Sequence, residues 1–340
     1  MKRAMRQAMA SSMFRNALLL VIALASPTLY AGSLDSSVLG MFPKDVTQIG
    51  YADLSEAREL PWFPQFEAQA APVSLYEFER FLEAAQLQQT PVITQVAWGR
   101  IDSVMKTPAD AIPPGAGQLL GVGLGHFDAD AIRSAVQRLH LNSIQDGGTK
   151  TTLYAAGIGP GVADTYFALV GDGVIAFGTE ASLRRLVNTS SGGEPSVLTD
   201  EAMMTMIGQV NGSGTFWHVA RGAGSQAMLG QVLPGGSRAP QIAALLATVK
   251  SVSINVSLTS EVQVTMEAEV RSANDARMLA QLSQLALLYK QQQVAASGSD
   301  SKQVFSGAQV SPNGSRVEIS FQLTNEQLQN LIEHNLLTGM

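Results

Sequence analysis

The side chains that could do acid–base or metal chemistry are few, and histidine is the scarcest of them. The 340-residue chain has four histidines, and none has a second histidine three or four residues away: His126, His140, His218 and His334. His126, with Asp128 and Asp130 following it, comes nearest to a cluster of metal-ligating side chains. Asp128 also directly precedes an apolar-periodic segment, where a carboxylate commonly caps a helix. We therefore expect a structural role for this group, and we predict no metal site, no cofactor and no catalytic residue.

Motifs for a serine nucleophile are incomplete. Residues 235–239 (GGSRA) approach G-x-S-x-G but fall in a predicted loop, without the strand–turn–helix setting of that motif. Ser103 and Lys106 match S-x-x-K, although neither S-D-N nor K-T-G accompanies them. The chain contains no cysteine, which excludes disulfides, thiolate metal sites, a cysteine nucleophile and a lipid-modified cysteine.

Composition narrows the class of protein. Apolar residues make up 46% of the chain and charged residues 15%, below the roughly 25% of an average soluble domain. The formal net charge is −6, and no basic cluster follows Arg15. A nucleic-acid-binding surface needs concentrated positive charge, so we do not expect a nucleic acid as a partner.

The N-terminus has the pattern of a secretory signal peptide over residues 1–31. Four cations precede a short apolar run at 17–25, and Ala31 ends a plausible cleavage region. Leu29, two positions before Ala31, is larger than the small residue usual at that place in a cleavage site. An uncleaved N-terminal anchor is the alternative. Cleavage would take the formal charge to about −10, because four cations and no acid are removed. We expect a mature chain that does not span a membrane and that is periplasmic or extracellular.

Two parts of the chain show secondary structure clearly. Residues 151–188 predict strand, loop, strand, a Gly171-Asp172-Gly173 turn, strand and then a helix from Thr179. Residues 251–270 alternate apolar with polar side chains, which is typical of an antiparallel hairpin with one buried and one solvated face. A long helix from Ser272, a second hairpin and a helix capped by Thr324 and Gln327 follow.

The strand predicted at residues 118–127 carries glycine on alternate positions, at Gly121, Gly123 and Gly125. A bare strand face allows either a ligand or a neighbouring strand or aromatic ring to approach closely. Close packing is the interpretation we favour.

These elements predict an α+β fold: a mostly antiparallel sheet with helices packed on one face and the other face partly open. The similar order of elements suggests two related halves. The expected division is a signal peptide at 1–31, an N-terminal α+β half at 32–210, a connecting segment at 211–250 and a C-terminal ββα-ββα half at 251–340.

Several of these features resemble exported bacterial proteins of unknown function, including the DUF3352-type and secreted acidobacterial proteins. The shared features are a first strand ending in Ala52-Asp53-Leu54, an aromatic strand at 166–170, the Gly171-Asp172 turn and a helix at 181–187. The resemblance extends over most of residues 45–337. It implies no catalytic residue, cofactor or substrate.

The leading hypothesis is a non-enzymatic exported protein that binds an unknown protein or small molecule, or serves as an envelope accessory. Export, the lack of a catalytic motif, and a predicted open sheet face rich in Ser, Thr, Asn and Glu support it. A periplasmic hydrolase built from dispersed Asp, Glu, Ser and His is an alternative, favoured by a pocket that joins His126 or His218 to a carboxylate. His218 stands beside Trp217 in a predicted strand, where a core histidine is the default interpretation.

A third hypothesis is a carrier of an apolar ligand. It requires a cavity between the sheet and the helices, lined by Leu279, Leu282, Phe305 and Phe321. Side chains of these types at these positions are more often part of a plain core.

Overall fold

The computed structural model describes residues 32–65, 73–87, 93–101, 118–146, 148–156, 165–232, 240–258, 261–296 and 307–333. Twelve strands within these ranges form one antiparallel sheet, and ten α-helices accompany it. The strands are β1 (Gln48–Asp53), β2 (Ile93–Ile101), β3 (Gln118–Gly125), β4 (Ser143–Gln145), β5 (Thr152–Ala155), β6 (Tyr166–Gly171), β7 (Val174–Gly178), β8 (Phe216–Arg221), β9 (Val249–Leu258), β10 (Val262–Val270), β11 (Gln309–Asn313) and β12 (Arg316–Leu323). The helices are α1 (Ser36–Leu39), α2 (Leu54–Ala57), α3 (Val73–Ala84), α4 (Ala129–Arg138), α5 (Glu180–Ser190), α6 (Glu201–Val210), α7 (Ala223–Val232), α8 (Pro240–Leu246), α9 (Ala273–Ala296) and α10 (Asn325–Glu333). The predicted α+β class is confirmed.

The strands follow the order β11-β12-β10-β9-β8-β1-β2-β3-β7-β6-β5-β4 across the sheet. Most neighbours are also neighbours in sequence, but β1 lies between β2 and β8. The expected connecting segment, 211–250, thus supplies β8, the strand through which the two expected halves meet in one sheet. Their relatedness and the domain division stay predictions.

Helices cover both faces of the sheet around β1. One core joins Ile49 and Tyr51 of β1 to α1, α5 and α6. The opposite face of β1 carries Ala52, which belongs to a second core with α3 and α10. Every residue of β1 except Asp53 is buried, because a strand between two helical layers has no solvated side.

In the described part of the chain, helices cover the C-terminal half of the sheet mainly on one face and leave the other face largely open, as predicted. Val252, Ala268 and Val317 share a third core with the helices α7, α8 and α9. The residues that alternate with them along the strands point to the other side of the sheet. That side is the surface described in the next subsection.

Aromatic rings lie directly over strand glycines near the centre of the sheet. A β-carbon added to Gly121 would overlap the ring of Phe177, and one added to Gly50 would overlap the ring of Trp98. The next glycine of β3, Gly123, faces Ile175. Close packing therefore explains Gly121 and Gly123, as the sequence interpretation favoured.

Local turn and cap chemistry follows the sequence. The β6–β7 turn places Gly173 at a φ of 69°, which a side chain would strain. The helix α5 begins after Thr179, whose Oγ1 accepts a hydrogen bond from Ser182 N at 3.2 Å. Thr324 N donates to Gln327 Oε1 at 2.9 Å and Gln327 N donates to Thr324 Oγ1 at 3.2 Å, which completes the predicted capping box of α10.

The helix α7 forms in a stretch whose glycines, Gly222, Gly224 and Gly230, favour an irregular segment. A β-carbon on Gly224 would lie 2.7 Å from Gln48 Cγ, and one on Gly230 would lie 3.5 Å from Leu246. Leu229 between them is 1% exposed. The glycines allow the helix to approach the sheet and α8 closely, so packing outweighs their low helix propensity.

The two outermost strands are short. The edge strand β4 has three residues, and β11 has five, with Pro312 among them. Within the described ranges, none of the helices has the length and apolar character needed to cross a membrane.

Candidate functional site

The uncovered side of the C-terminal half of the sheet forms a broad polar surface, which we call the open face. Its residues lie on β9, β10, β12 and β11, and the strand register places them side by side: Ser251, Ser253, Asn255, Ser257, Gln263, Thr265, Glu267, Glu269, Arg316, Glu318, Ser320, Gln322, Gln309, Ser311 and Asn313. Each is half-buried or exposed. The alternation of side chains in β9 and β10 predicted this surface, because a strand period of two sends every second residue to the same face.

The helix α6 stands along the border of the open face and converts part of it into a groove. Thr205, Met206 and Gln209 of α6 form the wall, and Ser251 and Ser253 of β9 form part of the floor. The groove has a volume of about 370 Å³. Pockets of about 300–1,000 Å³ are typical of sites for small ligands.

Three ion pairs lie in or beside the groove. Arg316 Nη1 lies 3.1 Å from Glu267 Oε1, and Lys250 Nζ lies 3.3 Å from Glu269 Oε1. At the other end, Arg221 Nη1 lies 2.6 Å from an oxygen of Asp200. Charges of both signs therefore alternate across a short distance, and the groove suits a polar ligand that carries both signs.

Asp200 fixes one end of the groove wall. Its Oδ1 accepts a hydrogen bond from Met203 N at 3.0 Å and so caps α6, while Oδ2 pairs with Arg221. Burial works to raise the pKa of this carboxyl, but the Met203 hydrogen bond and the charge of Arg221 lower it below its ordinary value on balance. The ionised carboxylate thus holds both the helix and the arginine in place.

The groove residue Arg221 and its partner Asp200 were not predicted from the sequence. Asp200 directly precedes an amphipathic helix, and that pattern identifies the cap. Its pairing with Arg221 depends on where α6 packs on the sheet, which no local pattern encodes.

His126 lies at the rim of a second cavity, an apolar cleft of about 530 Å³. Leu82, Leu87, Phe127 and Ile132 supply its apolar lining, together with Gly125 and Gly173, and Asp128 is the acid on its rim. Asp128 Oδ1 accepts from Asp130 N at 3.0 Å and Ala131 N at 2.9 Å, as expected of the cap of α4. Asp130 instead pairs with Arg133 at 2.7 Å. The described ranges contain no group of three His, Cys, Asp or Glu side chains arranged to hold a metal.

His218 is not brought to a carboxylate within the described part of the chain. It lies on β8 between Gly50 and Ile254, on the face opposite Trp217. Its ring centroid is 6.0 Å from that of Trp98, and its buried Nε2 atom has no hydrogen-bond partner among the described residues. Burial, with a smaller contribution from the charge of Arg100, lowers the pKa of His218 to about 4. A neutral imidazole at this half-buried position belongs to the packing of the sheet.

Three of the residues proposed for an apolar carrier belong to packed cores. Leu279 is 1% exposed and lies with Leu282 in the core under α9, whereas Phe321 packs against a different core. None of these three lines the groove or the cleft.

Several sequence-based expectations fall on residues outside the described ranges. They are the signal peptide at 1–31, the Ser103 and Lys106 pair, the segment 235–239, Phe305 and His334. They stay predictions.

Comparison with known proteins identifies no family. No family model matches the chain, and no curated protein matches it. The structure of TP0453 in crystal form I has 11% sequence identity with a TM-score of 0.47, covering 89% of this chain and 98% of that chain. Crystal form IV of TP0453 has 12% identity and a TM-score of 0.45, covering 86% and 95%. The resemblance to DUF3352-type proteins stays a prediction.

Proposed function

We propose that the protein is an exported, non-enzymatic binding protein, and that the open face with its groove is the binding surface. The ligand is polar and carries charges of both signs, as a segment of another protein does. The observation that carries the proposal is the uneven covering of the sheet. Helices cover both faces around β1, yet the helices of the described ranges leave one face of the strands β9 to β12 open beside the wall formed by α6.

The chemistry of the groove supports binding rather than catalysis. Its arginines and lysine are paired with carboxylates at 2.6–3.3 Å, and the floor between them includes serine hydroxyls. Such groups offer many hydrogen bonds and complementary charge to a partner. A general base, in contrast, needs a free ionisable group within hydrogen-bond reach of a substrate.

The proposal of export rests on the N-terminal pattern of four cations followed by a short apolar run.

The absence of cysteine from the sequence allows specific labelling, since a single introduced cysteine can be labelled without background.

The experiment is site-specific photo-cross-linking with single-cysteine variants of the mature chain. Ser253→Cys places a maleimide–benzophenone label on the groove floor, and Ser320→Cys places one on the open face. Gln281→Cys is the matched control, because Gln281 is exposed on α9, which packs against the other face of the sheet. Each labelled protein is mixed with the envelope and secreted fractions of the source cells and irradiated.

We expect one cross-linked species from the Ser253 and Ser320 positions that is absent from the Gln281 position. A charge-reversed variant, Arg316→Glu, should weaken that product at least several-fold, because it breaks the pair with Glu267 and adds a third acid beside Glu267 and Glu269. Equal products from all three positions, or none from the open face, would contradict the proposal.

A hydrolase is the second candidate, because the apolar cleft joins His126 to Asp128 at one rim. In this case His126 would act as the general base and the cleft would hold an apolar part of the substrate. An ester-substrate screen on the mature chain tests it, with His126→Gln as the variant and His140→Gln as the control. Turnover that survives in His126→Gln would exclude this site.

A further inference from the structure

The segment that follows Ala31 is fixed against the sheet by specific contacts. Leu34 N donates to Asn211 Oδ1 at 2.8 Å, and Asn211 Nδ2 donates to Leu34 O at 3.0 Å. The Leu34 side chain is 2% exposed and belongs to the core under α6. The first residues of the expected mature chain are therefore part of the folded structure.

Gly32 lies in direct contact with two oxygen atoms of β1. A β-carbon built on Gly32 would overlap both Tyr51 Oη and Asp53 Oδ2. The backbone nitrogen and a β-carbon are bonded to the same Cα, so this nitrogen lies within about 5 Å of both oxygens. Only glycine fits this position without displacing them.

Neither oxygen accepts a hydrogen bond from a described residue, and the Tyr51 oxygen is buried whereas Asp53 is half-buried. Tyr51 Oη is buried there without a hydrogen-bond partner, and its residue is 0% exposed. Asp53 Oδ1 accepts from Ser55 N at 3.0 Å and also contacts Ser55 Oγ, which leaves Oδ2 facing Gly32. In the described part of the chain, no lysine or arginine pairs with Asp53. A buried acceptor without a donor is unfavourable, so an unpartnered phenol oxygen beside a carboxylate indicates a missing donor.

Burial, followed by the charge of Asp53, raises the pKa of Tyr51 above its ordinary value. The hydroxyl is therefore neutral at physiological pH, and the carboxylate is the sole negative charge of the pair. A cation at Gly32 would supply what both atoms lack.

We propose that Tyr51 and Asp53 form a binding site for the α-ammonium group that cleavage after Ala31 creates on Gly32. Hydrolysis of the Ala31–Gly32 peptide bond consumes one water, leaves a carboxylate on Ala31 and converts the Gly32 amide nitrogen into an amine, which takes a proton from solvent. The amide has one N–H, whereas the ammonium has three and a positive charge. It donates to Tyr51 Oη and to Asp53 Oδ2, with a third donor left for solvent.

This inference rests on the export that we propose above, and it adds a consequence for folding. The precursor lacks the ion pair, so the mature chain is more stable than the chain that still carries residue 31. Processing thus completes the contact between the N-terminal segment and β1.

The test is a double-mutant cycle on the mature protein. One chain begins at Gly32 after removal of a fusion partner, and the other retains Ala31, which moves the ammonium about 3.8 Å along the chain. Both are made with Asp53 and with Asp53→Asn. Urea unfolding followed by tryptophan fluorescence gives the unfolding equilibrium constant of all four.

We expect retention of Ala31 to raise the unfolding constant about tenfold with Asp53 present, and less than about twofold with Asp53→Asn. Tenfold corresponds to about 1.4 kcal/mol, close to the range of hydrogen bonds to charged groups. Asp35→Asn is the control, since Asp35 caps α1 in the same segment and its replacement should preserve the full tenfold effect. An effect of Ala31 that is equal with Asp53 and with Asp53→Asn would overturn the proposal.

A second measurement remains informative if Asp53→Asn folds poorly. The α-amino group of Gly32, labelled with ¹⁵N, should titrate above its ordinary pKa of about 8 in the folded chain. Its contribution to stability is then present below about pH 8 and lost as the pH rises through the folded pKa. A pKa at or below the ordinary value would refute the site.

The intact mass of the exported protein separates the two proposals. A mature chain that begins at Gly32 supports the ammonium site, and any other start rules out its role in processing. Neither mass bears on the open face, which the cross-linking experiment tests independently.

Discussion

Replacing His218 with leucine should make the protein less sensitive to acid. His218 contacts Trp98 across Gly50, and its buried Nε2 has no hydrogen-bond partner in the described ranges. Leucine has a similar volume and fits between Gly50 and Ile254 without a polar atom. It therefore removes both the unpartnered nitrogen and the imidazole that takes up a proton in acid.

The magnitude follows from the pKa of His218, which is about 4 in the folded chain and about 6.5 when unfolded. A depressed histidine pKa means that the unfolded chain binds more protons between these values, so stability is full above about pH 6.5 and falls as the pH decreases. Each pKa unit corresponds to about 1.36 kcal/mol, so the loss reaches about 3 kcal/mol by about pH 4. That is a large part of the roughly 5–15 kcal/mol by which domains are stable.

The assay is urea unfolding at about pH 7.0, 5.5 and 4.0. We expect wild type to lose about 1.2 kcal/mol more than His218→Leu between the first two values, and about 3 kcal/mol more by the last. At neutral pH the variant should be at least as stable as wild type, because an unsatisfied buried nitrogen is removed. His126→Leu is the matched control, since it makes the same replacement at an exposed position. Parallel profiles for wild type and His218→Leu would refute the reasoning.

The remaining predictions concern packing and the groove wall. Gly121→Ala should lower the free energy of unfolding by about 1–3 kcal/mol, because the new methyl group overlaps the ring of Phe177. Gly208→Ala, on the exposed side of α6, meets open space and should raise the free energy of unfolding by about 0.5–1 kcal/mol. Denaturant unfolding of both variants measures these changes. Equal effects would contradict the explanation by packing. Asp200→Ala should lower the free energy of unfolding by about 1–3 kcal/mol in the same assay, because the helix cap and the ion pair are both lost. Asp130→Asn breaks the exposed pair with Arg133 and should lower it by less than about 0.5 kcal/mol. A smaller effect at Asp200 than at Asp130 would show that the wall of the groove is fixed by other contacts.

Sequence patterns predicted the parts of this fold that depend on neighbours along the chain. The β9–β10 hairpin, the turn at Gly173 and the Thr324–Gln327 capping box each arise within a few residues, so alternation and cap chemistry identify them. The polar side of β9 and β10 was visible for the same reason. The open face could therefore be predicted before its position in the sheet was known.

The groove and the ammonium site could not be predicted in this way. Both depend on the placement of α6 and of β8, which brings Arg221 to Asp200 and Asn211 to Leu34. Asn211 and Leu34 lie far apart in the sequence. No local pattern around Asn211 or Leu34, or around Arg221 or Asp200, predicts which residue is its partner. The helix α7 could not be predicted from the sequence either, because its glycines are typical of turns. In the structure these glycines allow close packing.

The position of β1 has a consequence for how quickly the protein can fold. β1 is the first strand of the described chain, yet one of its two partners is β8, with Gln48 opposite Ala220. Contacts between residues about 170 positions apart form slowly. A long loop must close first, and the entropy lost in closing it is offset only after the strands have paired. The stacked pair of Tyr51 and Trp217 can form only when the chain is available past β8. During synthesis, which starts at the N-terminus, β1 can pair with β2 first. Its pairing with β8 has to wait until about two-thirds of the chain has been made.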